Sequence, residues 1–229
     1  MPGISHTWQW QREELVFLAD RALWRPKASQ LFVADLHLGK AELFQRHGIP
    51  IPSDGDQGTL NPLIELCQRF SPQLLIVLGD LIHGELGLTE RLRQILRSLP
   101  DLCGCPVRLI GGNHDRSSRI EGLPQQPSYR CGDLWLSHEP ETPPEQQDQL
   151  LNVCGHVHPV AGIGNGCDRL RLPCFAYNPS QQRLLIPAFG QLTGGHHCDE
   201  GYRKWLVADH AIVPWFEPHP NRDEARVAR

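Results

Sequence analysis

The sequence contains no apolar run of the roughly 18 residues that a membrane-spanning helix requires. Its first residues, around Trp8 and Trp10, also lack the basic start and apolar centre of a secretory signal peptide. Hydrophobic residues make up 40% of the 229 residues and charged residues 21%, which is an ordinary globular composition. We therefore expect a cytoplasmic protein that does not contact a membrane.

A surplus of positive charge is also absent, since the formal net charge is -4. This charge excludes a protein that coats nucleic acid through bulk attraction and leaves a local basic strip as the route to DNA. The eight cysteines are scattered, and Cys103 and Cys105 lack the second pair that a zinc ribbon needs. We expect reduced thiols in the core rather than disulfides or a structural zinc site.

Short apolar runs that alternate with helical patterns mark the first half of the chain. The runs 31–34, 74–78 and 107–110 predict buried strands, and such alternation favours a largely parallel sheet up to about residue 115. Apolar residues from 88 to 99 recur at helical spacing, with Thr89 as N-cap and Pro100 as the stop. A second helical pattern spans 60–70, where Asn61 and Pro62 indicate either a cap and first turn or a kink.

The second half predicts strands without helices. Its apolar runs are separated by Gly and Pro turns and lie at 134–136, 151–154, 170–172, 175–177, 184–188, 205–208 and 211–216. They indicate a second, mostly antiparallel sheet. The predicted fold class is therefore α/β: a two-sheet β-sandwich flanked by helices in four layers (αββα), formed as a single domain by residues 1–216. Residues 139–149 read as a surface loop and 217–229 as a disordered tail.

Five polar blocks follow apolar runs along the chain. They are Asp35 with His37, Gly79 with Asp80, residues 112–115 with Asn113 and His114, His138, and Gly155 with His156 and His158. Loops at the carboxyl ends of strands converge on one crevice, so these groups can meet and hold two divalent ions. A single Asp or His at a strand end is more often a cap, but a set this dense is costly to bury without a cation.

The blocks D-x-H, G-D, G-N-H-D, S-H and G-H-x-H resemble those of calcineurin-like metallophosphoesterases over residues 32–160. The resemblance implies the two-sheet sandwich and a catalytic His114. It also implies one metal held by Asp35, His37, Asp80 and His158, and a second held by Asp80, Asn113, His138 and His156. Two such ions would activate water for phosphate ester hydrolysis; the ligands suit Mn²⁺, with Fe²⁺ and Zn²⁺ as alternatives.

A finer resemblance concerns His83, three residues after Asp80. DNA-repair nucleases of the SbcD type are similar here, and in them this histidine supports the catalytic one. The alternative is a loop histidine that faces solvent. The runs 35–40 and 185–190, with Phe44 and Arg46, resemble the bacterial ligase-associated DNA damage response endonucleases. That family implies action on DNA beside an ATP-dependent DNA ligase, a helicase and an exonuclease.

Three basic residues are candidates for substrate binding. Lys40 and Arg116 directly follow polar blocks, and Arg46 is a weaker case. Trp8, Trp10 and Trp24 are expected to pack at sheet edges rather than to stack bases, and residues 196–198 are not expected to bind metal. The rival functions are a small-nucleotide or other small-molecule phosphodiesterase or phosphatase, and a non-catalytic scaffold, which would require disrupted polar blocks.

Overall fold

A computed structural model of the chain describes residues 5–50, 55–115, 118, 120–144, 150–164, 170–198 and 201–215. Two mixed β-sheets face each other across a shared apolar core, as predicted. Within the described ranges no helix combines the length and apolar character needed to cross a membrane. The predicted C-terminal tail lies outside these ranges, as does part of the predicted surface loop, residues 145–149.

Within the described residues, the first sheet has seven strands in chain order. They are β1 (Ser5–Trp10), β2 (Glu13–Leu18), β3 (Ala22–Arg25), β4 (Gln30–Val33), β5 (Leu74–Leu78), β6 (Val107–Ile110) and β7 (Gln125–Gln126). From β4 to β7 the strands are parallel, as predicted. The prediction is wrong for β1 to β4, which are antiparallel, because loops of two to four residues cannot make a parallel crossover.

The described residues form four α-helices: α1 (Lys40–Arg46), α2 (Gln57–Phe70), α3 (Glu90–Arg97) and α4 (Leu99–Cys103). The last three contribute to the apolar cluster on the outer face of the first sheet. Leu63 of α2 and Leu96 of α3 are fully buried in the core cluster that also contains Leu75 of β5. This apolar contact positions the helices, because burying each such side chain contributes about 1.5–3 kcal/mol.

The helix ends differ in part from the predictions. Thr89 caps α3 as expected, since its Oγ1 accepts the Leu92 N–H at 3.2 Å. Pro100 is not simply a stop, because it lies in the first turn of α4, where its missing N–H is tolerated. The cap at Asn61 is wrong, since α2 begins four residues earlier, after Asp56, and contains Pro62 in its interior.

The described part of the second sheet contains nine strands. They are β8 (Ser128–Cys131), β9 (Leu134–Ser137), β10 (Leu151–Cys154), β11 (Pro159–Ile163), β12 (Leu170–Asn178), β13 (Arg183–Leu185), β14 (His196–His197), β15 (Arg203–Ala208) and β16 (Ala211–Trp215). The order is β14-β11-β12-β13-β10-β9-β8, with β15 joining β12 to β16. Most pairs are antiparallel, but β9 with β10, β10 with β13 and β11 with β14 are parallel.

The space between the sheets is filled by aromatic and aliphatic side chains. Phe17 of β2 stacks on Phe175 of β12 with ring centroids 4.5 Å apart. Trp8 lies 4.7 Å from Tyr177, and Trp24 lies 5.2 Å from Phe70. Trp8 therefore packs on the edge strand β1, as expected, and joins the two sheets, whereas Trp24 lies on the interior strand β3 and contacts α2.

The outer face of the second sheet carries a smaller apolar cluster that includes Cys154, Cys174 and Leu206. In the described part of the chain, helices cover the first sheet and none contributes to this cluster. All seven described cysteines are buried and form no disulfide, which agrees with the predicted reduced thiols. Cys167 lies outside the described ranges.

Candidate metal centre

The polar blocks converge at one edge of the sandwich. Asp35, Asp80 and Asn113 follow β4, β5 and β6 of the first sheet. His138 and His156 follow the parallel strands β9 and β10 of the second. Because parallel strands deliver their carboxyl ends to the same edge, residues distant in sequence come together there.

The first predicted ligand set is brought together by the fold. Ligand atoms of Asp35, His37 and His158 all lie within 4.8 Å of one another. His158 Nε2 is 3.2 Å from Asp35 Oδ1. His37 Nε2 is 3.8 Å from Asp80 Oδ2, which places the fourth predicted ligand beside the group.

The second predicted set forms a similar cluster. His138 Nε2 is 2.9 Å from Asn113 Oδ1 and 3.1 Å from His156 Nδ1. His156 Nδ1 is itself 3.2 Å from Asn113 Oδ1. Asp80 Oδ1 lies 3.5 Å from His138 Nε2. Asp80 therefore has one carboxylate oxygen near each cluster.

The chemistry of these groups fits divalent cations. His37 Nε2 is buried and, among the described atoms, has no hydrogen-bond partner. Such an atom is costly to bury unless something else satisfies its lone pair. In the second cluster, two imidazole nitrogens and an amide oxygen crowd around one point. Oxygen and imidazole donors together suit Mn²⁺, Fe²⁺ or Zn²⁺.

The backbone at the site is strained. Five of the predicted ligands adopt positive φ, with values from 49° at Asp80 to 63° at His156. The other three are Asp35, His37 and His158. A left-handed conformation costs a non-glycine residue about 1–2 kcal/mol. Strain of this kind persists where surrounding structure enforces it and collects at functional sites.

Two glycines of the polar blocks allow the ligand side chains to approach. A Cβ added to Gly79 would lie 2.0 Å from His138 Nδ1. One added to Gly112 would lie 2.1 Å from Asp80 Oδ1. The glycines of the G-D and G-N-H-D blocks are therefore required by the close packing of the site.

Asp115 is a site residue to which the sequence analysis assigned no role. Its buried carboxylate accepts backbone N–H groups from Leu81 at 3.3 Å, Ile82 at 3.1 Å and Gly112 at 3.0 Å. These contacts tie the loop after β5 to the loop after β6. Burial raises the pKa of Asp115, although the backbone hydrogen bonds oppose the shift. The sequence feature that could have identified Asp115 as a site residue is its position at the end of the G-N-H-D block.

His83 and His114 lie beside the first cluster. Their rings stack with centroids 4.7 Å apart and an interplanar angle of 27°. The hydrogen bond of His83 goes to His37, with the two Nδ1 atoms 3.1 Å apart. His114 is held through its backbone N–H, which donates to Asp80 Oδ1 at 3.0 Å. The His83 ring is therefore partly buried between His37 and His114 rather than facing solvent alone.

The electrostatics keep two of these imidazoles neutral. Burial, followed by the charges of His158 and His83, lowers the pKa of His37 to about 2. Burial, followed by the charges of Lys40 and His114, lowers the pKa of His83 to about 4. A neutral imidazole has a lone pair available for a metal or a hydrogen bond.

The predicted substrate-binding residues differ in their distance from the candidate metal centre. Lys40 is half-buried at the start of α1, close enough for its charge to lower the pKa of His37 and His83. Arg46 is exposed in the last turn of α1, about 9 Å further along the helix axis, so it is not at the site centre. Arg116 lies outside the described ranges.

The run 185–190 holds the backbone at Asp35 through hydrogen bonds. The Phe189 N–H donates to Ala34 O at 2.8 Å, and the Gly190 N–H donates to Asp35 O at 3.1 Å. His196, in the next stretch, donates its backbone N–H to His158 O at 3.0 Å. The loop between β13 and β14 therefore contacts the Asp35 backbone, and β14 contacts that of His158.

Comparison with known proteins gives one family match and several structural similarities. The family described as calcineurin-like phosphoesterase matches residues 29–220. The crystal structure of Pseudomonas putida nuclease MPE is 29% identical, covers 92% of this chain and 100% of its own, and has a TM-score of 0.75. Yfce, a phosphoesterase from E. coli, is 18% identical over 80% of this chain and 96% of its own, with a TM-score of 0.43. No curated protein matches the chain.

Proposed function

The chain belongs to the calcineurin-like phosphoesterase family and is a metal-dependent phosphoesterase. From this premise we propose that it is a two-metal phosphodiesterase that acts as an endonuclease in the repair of damaged DNA. The likeness to a Pseudomonas putida nuclease, which this chain matches over that chain's full length, supports the nuclease part of the proposal. Action in the cytoplasm beside a DNA ligase, a helicase and an exonuclease belongs to the same proposal.

The position of Asp80 carries the two-metal proposal. Its Oδ2 lies 3.8 Å from His37 Nε2, and its Oδ1 lies 3.5 Å from His138 Nε2. In our assignment it is the shared ligand. The first ion would be held by Asp35, His37, Asp80 and His158, and the second by Asp80, Asn113, His138 and His156.

Divalent ions in this centre, which we propose to be Mn²⁺, would supply Lewis acidity: a lowered pKa for water and neutralisation of phosphate charge. Side chains of the protein would stabilise the phosphate and protonate the leaving oxygen. His114 has a partly exposed imidazole whose Nε2 is 4.0 Å from Asp80 Oδ2, so it can reach a phosphate at the same centre. We assign it to stabilise the phosphate or to donate a proton to the leaving oxygen. His83 restricts the rotation of the His114 ring by stacking, and the Lys40 ammonium adds positive charge nearby.

A small-molecule phosphodiesterase or phosphatase is the alternative. The net charge of -4 favours it, because a polyanion such as DNA is repelled at long range by a negative protein. The non-catalytic scaffold requires a disrupted set of polar groups, whereas here all seven candidate ligands converge.

The substrate class is tested by comparing rates with Mn²⁺ on single-stranded DNA, duplex DNA, cyclic nucleotides, bis-p-nitrophenyl phosphate and p-nitrophenyl phosphate. We expect the diesters to be hydrolysed faster than the monoester, with DNA among the substrates. A preference for the monoester would replace the nuclease with a small-molecule phosphatase. Enzyme treated with chelator is the control for metal-independent contamination.

A further inference from the structure

A cavity of about 340 Å³ opens beside the first ligand cluster. His158, a proposed ligand of the first ion, forms part of its wall, together with Arg21, Arg171 and the loop 193–195. A phosphate held at the metal centre would therefore have this cavity directly alongside it. The cavity is large enough to take a further phosphate group with its sugar.

The charge of this cavity differs from that of a second cavity, which adjoins the second ligand cluster. The described residues around the first cavity include Arg21 and Arg171 and no carboxylate. The second cavity, of about 430 Å³, adjoins His138 and contains Glu139 and Glu141. An anion next to the metal centre is therefore favoured on the His158 side and disfavoured on the His138 side.

Arg171 is oriented by the loop 193–195, which lines the cavity. Its Nη2 donates to Gly195 O at 2.7 Å. This bond uses one of the five N–H donors of a guanidinium, whose planar fork suits a phosphate. The same loop is tied to the metal centre, since His158 Nδ1 lies 3.1 Å from Gly194 O.

Arg21 is held by the hairpin between β2 and β3. It is the last of three loop residues and has a φ of 61°, a position that favours glycine. The preceding Asp20 forms an ion pair with Arg69 of α2, which anchors the turn. The half-buried Arg21 side chain is therefore presented to the cavity from a fixed backbone.

We propose that Arg21 and Arg171 bind the phosphate adjacent to the scissile one in a polynucleotide, and that this subsite makes the enzyme prefer nucleic acid strands to small diesters. The proposal rests on the proposed phosphodiesterase function. It also reconciles a negative protein with a polyanionic substrate, because attraction comes from one local subsite beside the reacting phosphate.

The test uses Arg21→Gln, Arg171→Gln and the double variant with Mn²⁺ on single-stranded oligothymidylate and on bis-p-nitrophenyl phosphate. We expect kcat/KM for the oligonucleotide to fall about 10-fold or more in the double variant, because charge-assisted contacts to phosphate are lost. Hydrolysis of the small diester, which has no second phosphate, should stay within about twofold. The dependence of log kcat/KM on log salt should flatten by roughly 0.7 for each lost phosphate contact.

Arg130→Gln is the matched control. Arg130 is exposed on β8, and its Nε also donates to a backbone carbonyl, that of Gly132, at 3.2 Å. It is not one of the described residues lining the cavity, so its loss should change neither substrate.

A substrate-side comparison avoids any effect of the substitutions on folding. The wild-type protein should show a lower KM for a p-nitrophenyl thymidine diester that carries an additional terminal phosphate than for the same diester without it. The subsite proposal is overturned if the additional phosphate gives no advantage, or if the double variant loses both substrates equally. A wild-type protein that hydrolyses no diester would instead overturn the proposed function itself.

Discussion

At the scale of single residues, the candidate ligands converge at a cost in backbone conformational energy. Five candidate ligands lie at positive φ, which at about 1–2 kcal/mol each is a substantial local cost. The sequence predicted which residues would meet, because carboxylates, imidazoles and an amide follow successive strands. It could not predict the left-handed backbone or the bracing role of Asp115, since both depend on how the loops pack against one another.

Replacing His114 with Ala should leave both metals bound and abolish most turnover. Our assignment places His114 beside the ligands rather than among them, so its loss removes a proton donor or charge stabiliser. Metal content by elemental analysis and kcat on a diester measure the two effects separately. His210→Ala, at an exposed turn, is the control.

A His114→Ala protein depleted of one ion would contradict this assignment. Ligand atoms of His37, His83 and His114 also lie within 4.8 Å of one another. Loss of one ion in the variant would therefore identify His114 as a metal ligand.

Gly79→Ala should abolish tight metal binding, because the new Cβ would displace His138 from its position 2.0 Å away. Gly122→Ala is a matched control. Gly122 has a φ of 84°, close to the 80° of Gly79, but no atom lies within 4 Å of its added Cβ. Both variants carry the backbone strain of about 1 kcal/mol, and only Gly79→Ala adds the clash. Equal metal affinity in the two variants, measured by titration, would refute this role of Gly79.

At the scale of secondary structure, the sequence predicted best the mainly apolar strands that lie directly before the polar blocks. The strands at 74–78, 107–110 and 151–154 have the predicted bounds. The sequence left two alternatives at Asn61 and Pro62, and the cap with a first turn is the wrong one, since α2 begins after Asp56 and contains Pro62. The Gly39 N–H donates to Asp56 Oδ1 at 2.8 Å, directly before the start of α2. No local sequence pattern reveals this contact, because it joins residues 17 positions apart.

Asp56→Asn should raise the melting temperature near neutral pH. Burial raises the pKa of Asp56 from 3.8 to about 6. The folded state therefore binds this proton more tightly than the unfolded state. The contribution to stability is fully present below about pH 4 and is lost as the pH rises through about 6.

Asparagine is neutral at every pH and keeps an acceptor oxygen for the Gly39 N–H. Thermal melts of wild type and Asp56→Asn should differ at about pH 8 and converge at about pH 4. A variant that melts below the wild type at about pH 8 would show that the ionised carboxylate is favourable at this helix terminus.

At the scale of the whole molecule, the candidate metal centre draws its residues from both sheets. Asp35, Asp80 and Asn113 come from the first sheet, and the histidines at 138, 156 and 158 come from the second. The sequence predicted the sandwich because the pattern changes near residue 133. It did not predict the antiparallel strands β1 to β3; polar residues alternate with the tryptophans of β1, and the apolar runs of β2 and β3 are short and separated by a three-residue turn.

Because the proposed ligands span both sheets, metal removal should destabilise the entire fold. Ligand present at 100 times its dissociation constant stabilises a folded protein by about 2.7 kcal/mol. A chelator should therefore lower the melting temperature by several degrees, and added Mn²⁺ should restore it. An unchanged melting temperature would mean that ions do not bridge the sheets.

The central claim is a two-metal centre with Asp80 as the ligand shared by both ions. The most direct test compares wild type with Asp80→Asn for bound metal and for kcat on bis-p-nitrophenyl phosphate with Mn²⁺. We predict that the variant loses at least one ion per chain and that its turnover falls by about 100-fold or more. An Asp80→Asn protein with two bound ions and comparable turnover would contradict the claim.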